Sequence, residues 1–424
     1  MNNLPDVMQR LKIDRAFEGA LAPHWQESAA ACPPTPALLP GLAPEQFRAA
    51  RALVGLSPDL DGPLHAAAAR IAADLDWRLL FHHFCRSLYD LPRGAPVTQW
   101  PEFDPQWGDQ AGLFYLLAGL AMVPRVQAVH AKLGVPAEVT RATVQQVRCF
   151  CDEMHRRGRN GRPGILLNQI YWLRNYTDGR LFRLGRMEYM IGPCTKLLEV
   201  WRRKHDGRTL ALAQPGLRVD AAGFVLSDDG SPAPSAPEAW RTELEHRPEA
   251  VRGFPIHPEG YIERREMALP TADWERVLQP GDSILEMHIP AGGGMPPATC
   301  LDSIRQAFEF FDRFFPPAPR AIACHSWILN TQLFDLLPPE SNLNRFMREL
   351  YLYPIPSGPR AGLFFLFFND HLPLADAPED TSVQRAVKQF LLAGNRWRSG
   401  GMFFLRDDLP HFGTQHYRSA PRDF

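Results

Sequence analysis

The sequence lacks a surplus of charge of either sign and lacks a hydrophobic run of membrane-spanning length. Its 46 lysines and arginines face 47 aspartates and glutamates, which leaves a formal net charge of −1. Proteins that bind nucleic acid or anionic membranes by general electrostatic attraction are usually basic, so we expect neither partner. The longest apolar run, Ala111–Val123, is too short for a bilayer and predicts a buried core helix.

Sequence signals for export and for disulfides are also missing. Met1–Leu21 is amphipathic and contains several acids, unlike a signal peptide with its basic start and apolar core. The seven cysteines are scattered and odd in number, as is common for reduced thiols. Cys149 and Cys151 form a C-x-C pair without a second pair in the sequence, a pattern too sparse to indicate a zinc site. We therefore expect a cytoplasmic protein without a metal.

The length and the periodicity indicate two domains. A chain of 424 residues exceeds what one hydrophobic core usually serves. From Leu4 to about Asn175, apolar residues recur at helical spacing, whereas short runs typical of strands follow Asp178. The sequence thus predicts an α+β protein with a largely helical N-terminal domain (1–175) and a mixed α/β C-terminal domain (176–424). The early strand predictions are 181–190, 209–213 and 223–227, followed by a low-complexity loop over 228–237.

The C-terminal domain contains a strand, a glycine-rich loop and a helix in direct succession. Pro290 ends the predicted strand, and the loop Ala291–Pro297 contains three consecutive glycines. Thr299–Asp302 has the pattern of a capping box at the start of a helix. A helix N-terminus behind a glycine loop suits an anionic group such as a pyrophosphate. The predicted order is strand 283–290, helix 303–315, strand 321–328, helices 332–337 and 341–349, and strand 362–368.

Ionisable side chains lie in the middle of both central strands. Alternation places Glu286 and His288 on one face of the first strand. They could form a structural hydrogen-bonded pair, or one could serve as a general base. The second strand carries Cys324-His325-Ser326-Trp327, with His325 and Ser326 on opposite sides. A cysteine nucleophile, Cys324 or Cys300, has no local motif in its favour.

The order of these elements resembles the strand–helix–strand–helix core of GNAT-type acyltransferases. Four phrases, LGRMEYM (184–190), LQPGDSILEMHIPAGGGM (278–295), CHSWILN (324–330) and LLPPESNLNRFMREL (336–350), are similar to a bacterial family that joins an N-terminal N-acyltransferase domain to a GNAT-like C-terminal domain. The resemblance covers about 38–366. The GNAT loop signature, Arg or Gln followed by x-x-Gly-x-Gly/Ala, is not present as such in Ala291–Met295.

The resemblance implies an acyl-CoA-dependent N-acyltransferase in which an amine attacks the thioester directly. Acyl-CoA would be a co-substrate, no cofactor would be bound permanently, and the acceptor would be the amine of a small molecule or peptide. Glu286 or His288 would accept the amine proton, and His325 or Ser326 would protonate the leaving thiolate. The implied coenzyme contacts are Ile289, Gly292, Gly293, Gly294, Met295 and Ser303.

Two other functions remain open on the sequence alone. A GNAT-like fold without activity could bind a small molecule or a protein. A metal-dependent hydrolase could use His288, His325 and Glu286 as ligands, although no H-E-x-x-H spacing supports it.

Overall fold

Helical spacing in the first part of the chain does produce helices in the computed structural model, which describes residues 3–39, 41–227, 238–358, 361–368 and 373–418. The helix Pro44–Val54 illustrates how local residues set the start and the end of a helix. Proline occupies its first turn, and Gly55, with φ 80°, ends it in the left-handed conformation that glycine adopts readily. Its buried face is formed by residues such as Phe47 and Val54. The largely helical N-terminal region is confirmed, and the predicted low-complexity loop 228–237 lies outside the described residues.

The chain divides into two compact units. The first comprises Met1–Arg183 together with Pro290–Gly292, and the second comprises Leu184–Ile289 and Gly293–Phe424. The division thus falls a few residues after the predicted boundary at 176.

In the first unit the helices are α1 (Leu4–Arg10), α2 (Glu18–Leu21), α3 (Trp25–Ala31), α4 (Pro44–Val54), α5 (Asp61–Ala73), α6 (Leu75–Tyr89), α7 (Asp104–Trp107), α8 (Ala111–Leu120), α9 (Met122–Leu133), α10 (Ala137–Val144), α11 (Gln146–Arg148), α12 (Arg156–Gly158), α13 (Leu167–Ile170) and α14 (Arg174–Thr177), with a π-helical segment at Cys149–His155. Short 3-10 turns lie at Arg15–Phe17, Pro36–Leu38, Pro58–Leu60, Val97–Gln99, Gly108–Gln110 and Tyr171–Leu173.

The apolar run 111–123 is a core segment, as its length predicts. It forms α8 and the start of α9, and its side chains are almost all buried. The continuous stretch 104–133 is long and apolar enough to cross a membrane by length and composition, but 67% of its most apolar window is buried inside the unit. A buried core helix explains that composition.

The strands are β1 (Leu181–Leu184), β2 (Met187–Pro193), β3 (Leu198–Arg203), β4 (Thr209–Ala213), β5 (Arg218–Val219), β6 (Trp240–Arg241), β7 (Leu244–His246), β8 (Ala250–Gly253), β9 (Pro255–His257), β10 (Tyr261–Ile262), β11 (Met267–Pro270), β12 (Trp274–Leu278), β13 (Ser283–His288), β14 (Ala321–Ser326), β15 (Tyr351–Pro354) and β16 (Gly400–Leu405). The later helices are α15 (Pro297–Phe314), α16 (Leu333–Leu336), α17 (Asn342–Arg348), α18 (Leu363–Phe367) and α19 (Ser382–Leu392), with 3-10 turns at Trp327–Leu329, Leu374–Asp376 and Arg406–His411.

Two sheets organise the second unit. Counting from β2, the larger one runs β2-β13-β14-β16-β15, and only β13 and β14 are parallel neighbours in this order. The other runs β10-β9-β4-β3-β12. Apolar residues of that sheet, among them Trp201 and Leu212, pack with Val251 and Leu269 of the smaller β11-β8-β7 sheet. The predicted mixed α/β architecture is therefore confirmed.

Three local predictions were wrong. The helix after the glycine loop begins at Pro297 rather than Ser303, so Thr299–Asp302 lies within it and forms no capping box. Within the predicted strand 362–368, Leu363–Phe367 forms helix α18 instead, since a short, wholly apolar run has no period that distinguishes a strand from a helix. Residues 223–227 form only an isolated bridge, Val219 with Val225, and not a strand.

Candidate active site

The two central strands of the larger sheet separate partway along their length. Parallel pairing of β13 with β14 covers Ile284–Glu286 and Ala321–Ala323. Beyond it, β13 stays paired with β2 as far as His288, and β14 stays paired with β16 as far as Ser326. Each strand thus follows its outer neighbour, and an opening forms between them with Glu286 at its apex.

The opening has one polar face and one apolar face. Glu286 pairs in register with Ala323, so the next residue on that face of β14 is His325. Glu286, His288 and His325 therefore share a face, as the sequence predicted for the first two. On the same face, Glu188 of β2 lies opposite His288 and is buried.

Glu286 is bound by a lysine that the sequence did not indicate. Lys196, in the loop between β2 and β3, donates from Nζ to Glu286 Oε1 at 2.9 Å. The lysine side chain is 6% exposed and the glutamate side chain 30%. Burial alone would raise the pKa of Glu286, but the hydrogen bond and the charge of Lys196 outweigh it, so the pKa is lowered. Glu286 is consequently an ionised carboxylate at neutral pH.

The two histidines of this face are uncharged at neutral pH. Burial lowers the pKa of His288 to about 4, with Glu286 opposing the shift and Lys196 adding to it. The pKa of His325 is also lowered, first by desolvation of the part of the ring that the protein covers and then by Lys196. His325 keeps an exposed edge, and its Nε2 lies 2.9 Å from the buried hydroxyl of Tyr353 on β15.

The opposite face of the sheet is closed by α15. Tyr189, which pairs with Met287, has its hydroxyl 3.0 Å from Ser303 Oγ on this helix. Ser303 is fully buried, accepts the Met187 N–H and donates to the Leu184 carbonyl. Its hydroxyl is thus used inside the fold, and the coenzyme contact of Ser303 stays a prediction that these hydrogen bonds do not favour.

Ser326 and the two candidate cysteines also lie away from the polar face. Alternation puts Ser326 with Cys324 on the side of α15, and its hydroxyl accepts the Ile328 N–H at 3.4 Å. Ser326 thus lies on the other side of the sheet from Glu286 and His325, and its role in protonating the thiolate stays a prediction. Cys324 and Cys300 are buried, and desolvation raises the pKa of each to about 12. Neither thiol is suited to act as a nucleophile.

Replacing Cys324 with alanine is expected to leave kcat within about twofold and to lower stability by about 1 kcal/mol, as for a small buried truncation. Steady-state kinetics and thermal unfolding measure the two effects. Cys300→Ala, on the same side of the sheet, is the matched control. A loss of kcat by orders of magnitude, or an acyl adduct on Cys324 in mass spectra, would show that the thiol carries the acyl group.

The glycine loop presents the features of an anion site in its second half. Gly293 has φ 73°, and α15 begins at Pro297 without a side-chain cap and without an acid in its first turn. Arg186, in the turn between β1 and β2, donates from Nε to the Gly294 carbonyl at 2.9 Å. Its guanidinium thus brings a positive charge to the loop.

The other predicted coenzyme contacts differ in their exposure. Met295 is buried and Ile289 is half-buried, whereas Gly292 belongs to the first unit.

The described residues provide no metal site for the hydrolase alternative. Across 3–39, 41–227, 238–358, 361–368 and 373–418, no group of three His, Cys, Asp or Glu residues is arranged to hold a metal ion. His288, His325 and Glu286 do share a face, but Glu286 is engaged by Lys196 and His325 by Tyr353.

Two family descriptions match consecutive parts of the chain. The N-acyltransferase N-terminal domain matches residues 46–179, and the GNAT-like C-terminal domain matches residues 181–404, more than half of the sequence. The chain belongs to this two-domain acyltransferase family. No curated protein matches this chain.

Solved acyltransferases have the same fold. A crystal structure described as an acyltransferase with decanoyl-CoA and teicoplanin is 21% identical, with a TM-score of 0.61 over 95% of this chain and 98% of that one. Another, described with CoA and 10C-teicoplanin, is 22% identical with the same TM-score and coverage. A third, with decanoyl-CoA, is 23% identical with a TM-score of 0.57 and the same coverage. At these identities the likeness establishes the fold of the acyltransferase.

Lys196 and Tyr353 were not indicated by the sequence, and Arg186 was interpreted as an exposed strand charge or a contact for an acidic acceptor, not as a contact of the glycine loop. Lys196 follows a strand in an unremarkable loop, and 90 residues separate it from Glu286. By its sequence alone, Tyr353 looks like an ordinary aromatic core residue of a short strand. Arg186 reads as an exposed strand charge, and only the turn between β1 and β2 brings it to the glycine loop.

Proposed function

We propose that this acyltransferase transfers the acyl group of an acyl-CoA to an amine by direct attack in the opening between β13 and β14. The separation of these strands after Glu286 and Ala323, with Glu286, His288 and His325 on one face, is the observation that carries the proposal. The thioester would lie in the opening, where the strand edges that no longer pair with each other offer backbone hydrogen-bonding groups.

Glu286 is the group we assign as proton acceptor. The amine nitrogen forms a bond to the thioester carbon, the carbon–sulfur bond breaks, and the ammonium proton passes to the Glu286 carboxylate directly or through a water. Lys196 binds one carboxylate oxygen, Oε1, which leaves the other oxygen for this proton. His288, two residues further along the opening, is the alternative acceptor.

The coenzyme phosphates would bind at the N-terminus of α15. Its first turn offers backbone N–H groups and the positive end of the helix dipole. Arg186, held against the Gly294 carbonyl, adds the cation that the loop itself lacks.

The acceptor would be the amine of a small molecule or peptide. Two of the solved acyltransferases of this fold are described with the glycopeptide teicoplanin, which makes a peptide natural product one candidate. Reduced cysteines are compatible with the cytoplasm, which is part of this proposal.

A binding experiment tests the proposal. Thermal unfolding is followed with CoA and with acyl-CoAs of increasing chain length. Ligand at several hundred times its Kd raises the free energy of unfolding by about 3 kcal/mol, so a clear rise in melting temperature is expected. The absence of a shift with every CoA species would overturn the proposal.

A variant pair locates the coenzyme. Gly293→Trp places a bulky side chain in the loop and is expected to abolish the shift. Gly207→Trp is the matched control, because Gly207 has the same φ of 73° in the turn between β3 and β4 and has open space around its Cβ position. A preserved shift in Gly293→Trp would place the phosphates elsewhere. Binding without turnover of any amine would indicate an inactive binding module.

A further inference from the structure

His325, Gly401 and Tyr353 form a row across three strands. His325 on β14 pairs with Gly401 on β16, and Gly401 pairs with Tyr353 on β15. A Cβ on Gly401 would lie 2.3 Å from the Tyr353 ring, so the missing side chain is what allows the ring to lean across the middle strand. The tyrosine hydroxyl thereby reaches His325 Nε2 at 2.9 Å.

The buried Tyr353 hydroxyl needs an acceptor, and this need decides which of the two groups donates the hydrogen bond. The Tyr353 hydroxyl is buried, and His325 Nε2 is its hydrogen-bond partner within the described part of the chain. A buried hydroxyl proton needs an acceptor, so Tyr353 donates and Nε2 accepts. A neutral imidazole that accepts at Nε2 carries its proton on Nδ1. Over the described ranges, Nδ1 makes no hydrogen bond to the protein, and the residue is exposed on the polar face of the opening.

We propose that Tyr353 fixes the tautomer of His325 so that its Nδ1–H donates a hydrogen bond to the thioester carbonyl oxygen as negative charge develops there. This rests on the proposed acyl transfer. His325 is then a catalytic residue that stabilises the oxyanion, and Tyr353 is a positioning residue. Its Nδ1–H shares the polar face with Glu286, on the other strand of the opening.

The same geometry argues against the acid role that the sequence assigned to His325. Transfer of the Nδ1 proton to the leaving thiolate would leave an imidazolate, unless Tyr353 gave its own proton to Nε2. The second path would create a buried phenolate, and desolvation raises the pKa of Tyr353 well above its usual value. The Nδ1 proton of His325 is therefore donated in a hydrogen bond and is not transferred. The leaving thiolate takes its proton from solvent or from Glu286.

The tautomer can be measured without any substrate. Protein labelled with ¹⁵N-histidine gives long-range ¹H–¹⁵N spectra that distinguish a protonated Nδ1 from a protonated Nε2, and the spectrum of His325→Ala identifies the signals of His325. We expect a protonated Nδ1 in the wild-type protein and a mixture of tautomers in Tyr353→Phe. A protonated Nε2 in the wild-type protein would overturn the proposal.

Kinetics test the role in the reaction. His325→Ala is expected to lower kcat by about 100- to 1,000-fold, as for the loss of one oxyanion donor, and Tyr353→Phe by about 10-fold with an unchanged KM for acyl-CoA. In the His325→Ala background, Tyr353→Phe should have no further effect on kcat. An additive loss in the double variant would show that Tyr353 acts independently of His325 and would overturn the positioning role.

Tyr351→Phe is the matched control. Tyr351 lies two residues earlier on the same face of β15 and is equally buried, but its hydroxyl donates to the Ile256 carbonyl. We expect Tyr351→Phe to lower the melting temperature and to leave the His325 tautomer and kcat unchanged. If no CoA species binds or turns over, the proposed function fails while the spectra still report the tautomer. If turnover is normal and the tautomer is wrong, only the present proposal fails.

Discussion

Replacing Glu286 with glutamine is expected to lower kcat by about 100- to 10,000-fold, the usual contribution of a positioned general base. Glutamine keeps the shape of the side chain and an oxygen for Lys196 Nζ, but it cannot accept the amine proton. The KM for acyl-CoA should change little, because the proposed coenzyme contacts lie at the glycine loop and the start of α15. Steady-state and single-turnover rates with one amine acceptor measure the effect.

His288→Gln is the comparison for Glu286→Gln. Glu286 is held at the apex by β2, by β14 and by Lys196, whereas His288 lies beyond the last pair with β14. We therefore expect His288→Gln to lower kcat less than about tenfold. A larger loss in His288→Gln than in Glu286→Gln would identify the histidine as the base. The melting temperature of each variant shows whether the fold is retained.

Replacing Lys196 with methionine should have the largest effect on stability. It removes one partner of a largely buried ion pair and leaves the Glu286 carboxylate without compensation. Such a loss costs about 3–5 kcal/mol when both groups are fully buried, and the partial exposure of Glu286 reduces the expected value to about 2–3 kcal/mol. Denaturant unfolding at neutral pH measures it. Adding Glu286→Gln to the variant should recover part of the loss, because the uncompensated charge is then gone.

The same variant changes the dependence on pH. In the wild-type protein the pKa of Glu286 is below its unfolded value of 4.5, so the pair contributes stability above that pH and loses it as the pH falls through the folded pKa. In Lys196→Met, burial acts without the lysine and raises the pKa of Glu286. The stability deficit should thus be largest at neutral pH, begin to shrink above 4.5 as the pH falls through the raised pKa of the variant, and shrink further below 4.5 as the wild-type pair is lost. The acid limb of kcat/KM should move to higher pH.

Lys388→Met is the control for these effects. Lys388 is also buried and paired, with its Nζ 2.8 Å from Glu379, but the pair lies between α19 and the segment before it. Its loss should destabilise the protein without moving the pH profile of activity. An unchanged profile in Lys196→Met as well would mean that the lysine does not control the ionisation of Glu286.

The sequence revealed the parts of the site that depend on local order. Strand alternation was sufficient to place Glu286 and His288 on one face, and the strand, loop and helix succession located the opening. The start of α15 was missed because prolines at its first turn read as loop, although they suit a helix N-terminus. The segment 362–368 was missed because an apolar run of that length fits a strand or a helix equally well.

The contacts on which the proposed chemistry depends could not be predicted, since they join distant elements. Lys196 reaches Glu286 only when β2 and β13 pair, and Tyr353 reaches His325 only across Gly401 of a third strand. Ser303 was predicted at the first residue of the helix, because the prolines before it indicated a loop. In the fold it lies inside the helix and faces the sheet.

The separation of β13 from β14 lowers the entropic cost of binding an extended ligand. Both edges are fixed by their outer neighbours, β2 and β16, throughout the opening. The backbone there has already lost its conformational freedom when the protein folds, so an extended ligand that enters does not have to order it again. Affinity at this place is then limited by the flexibility of the ligand itself. A stiffer mimic of the extended chain should therefore bind more tightly than a flexible one with the same contacts.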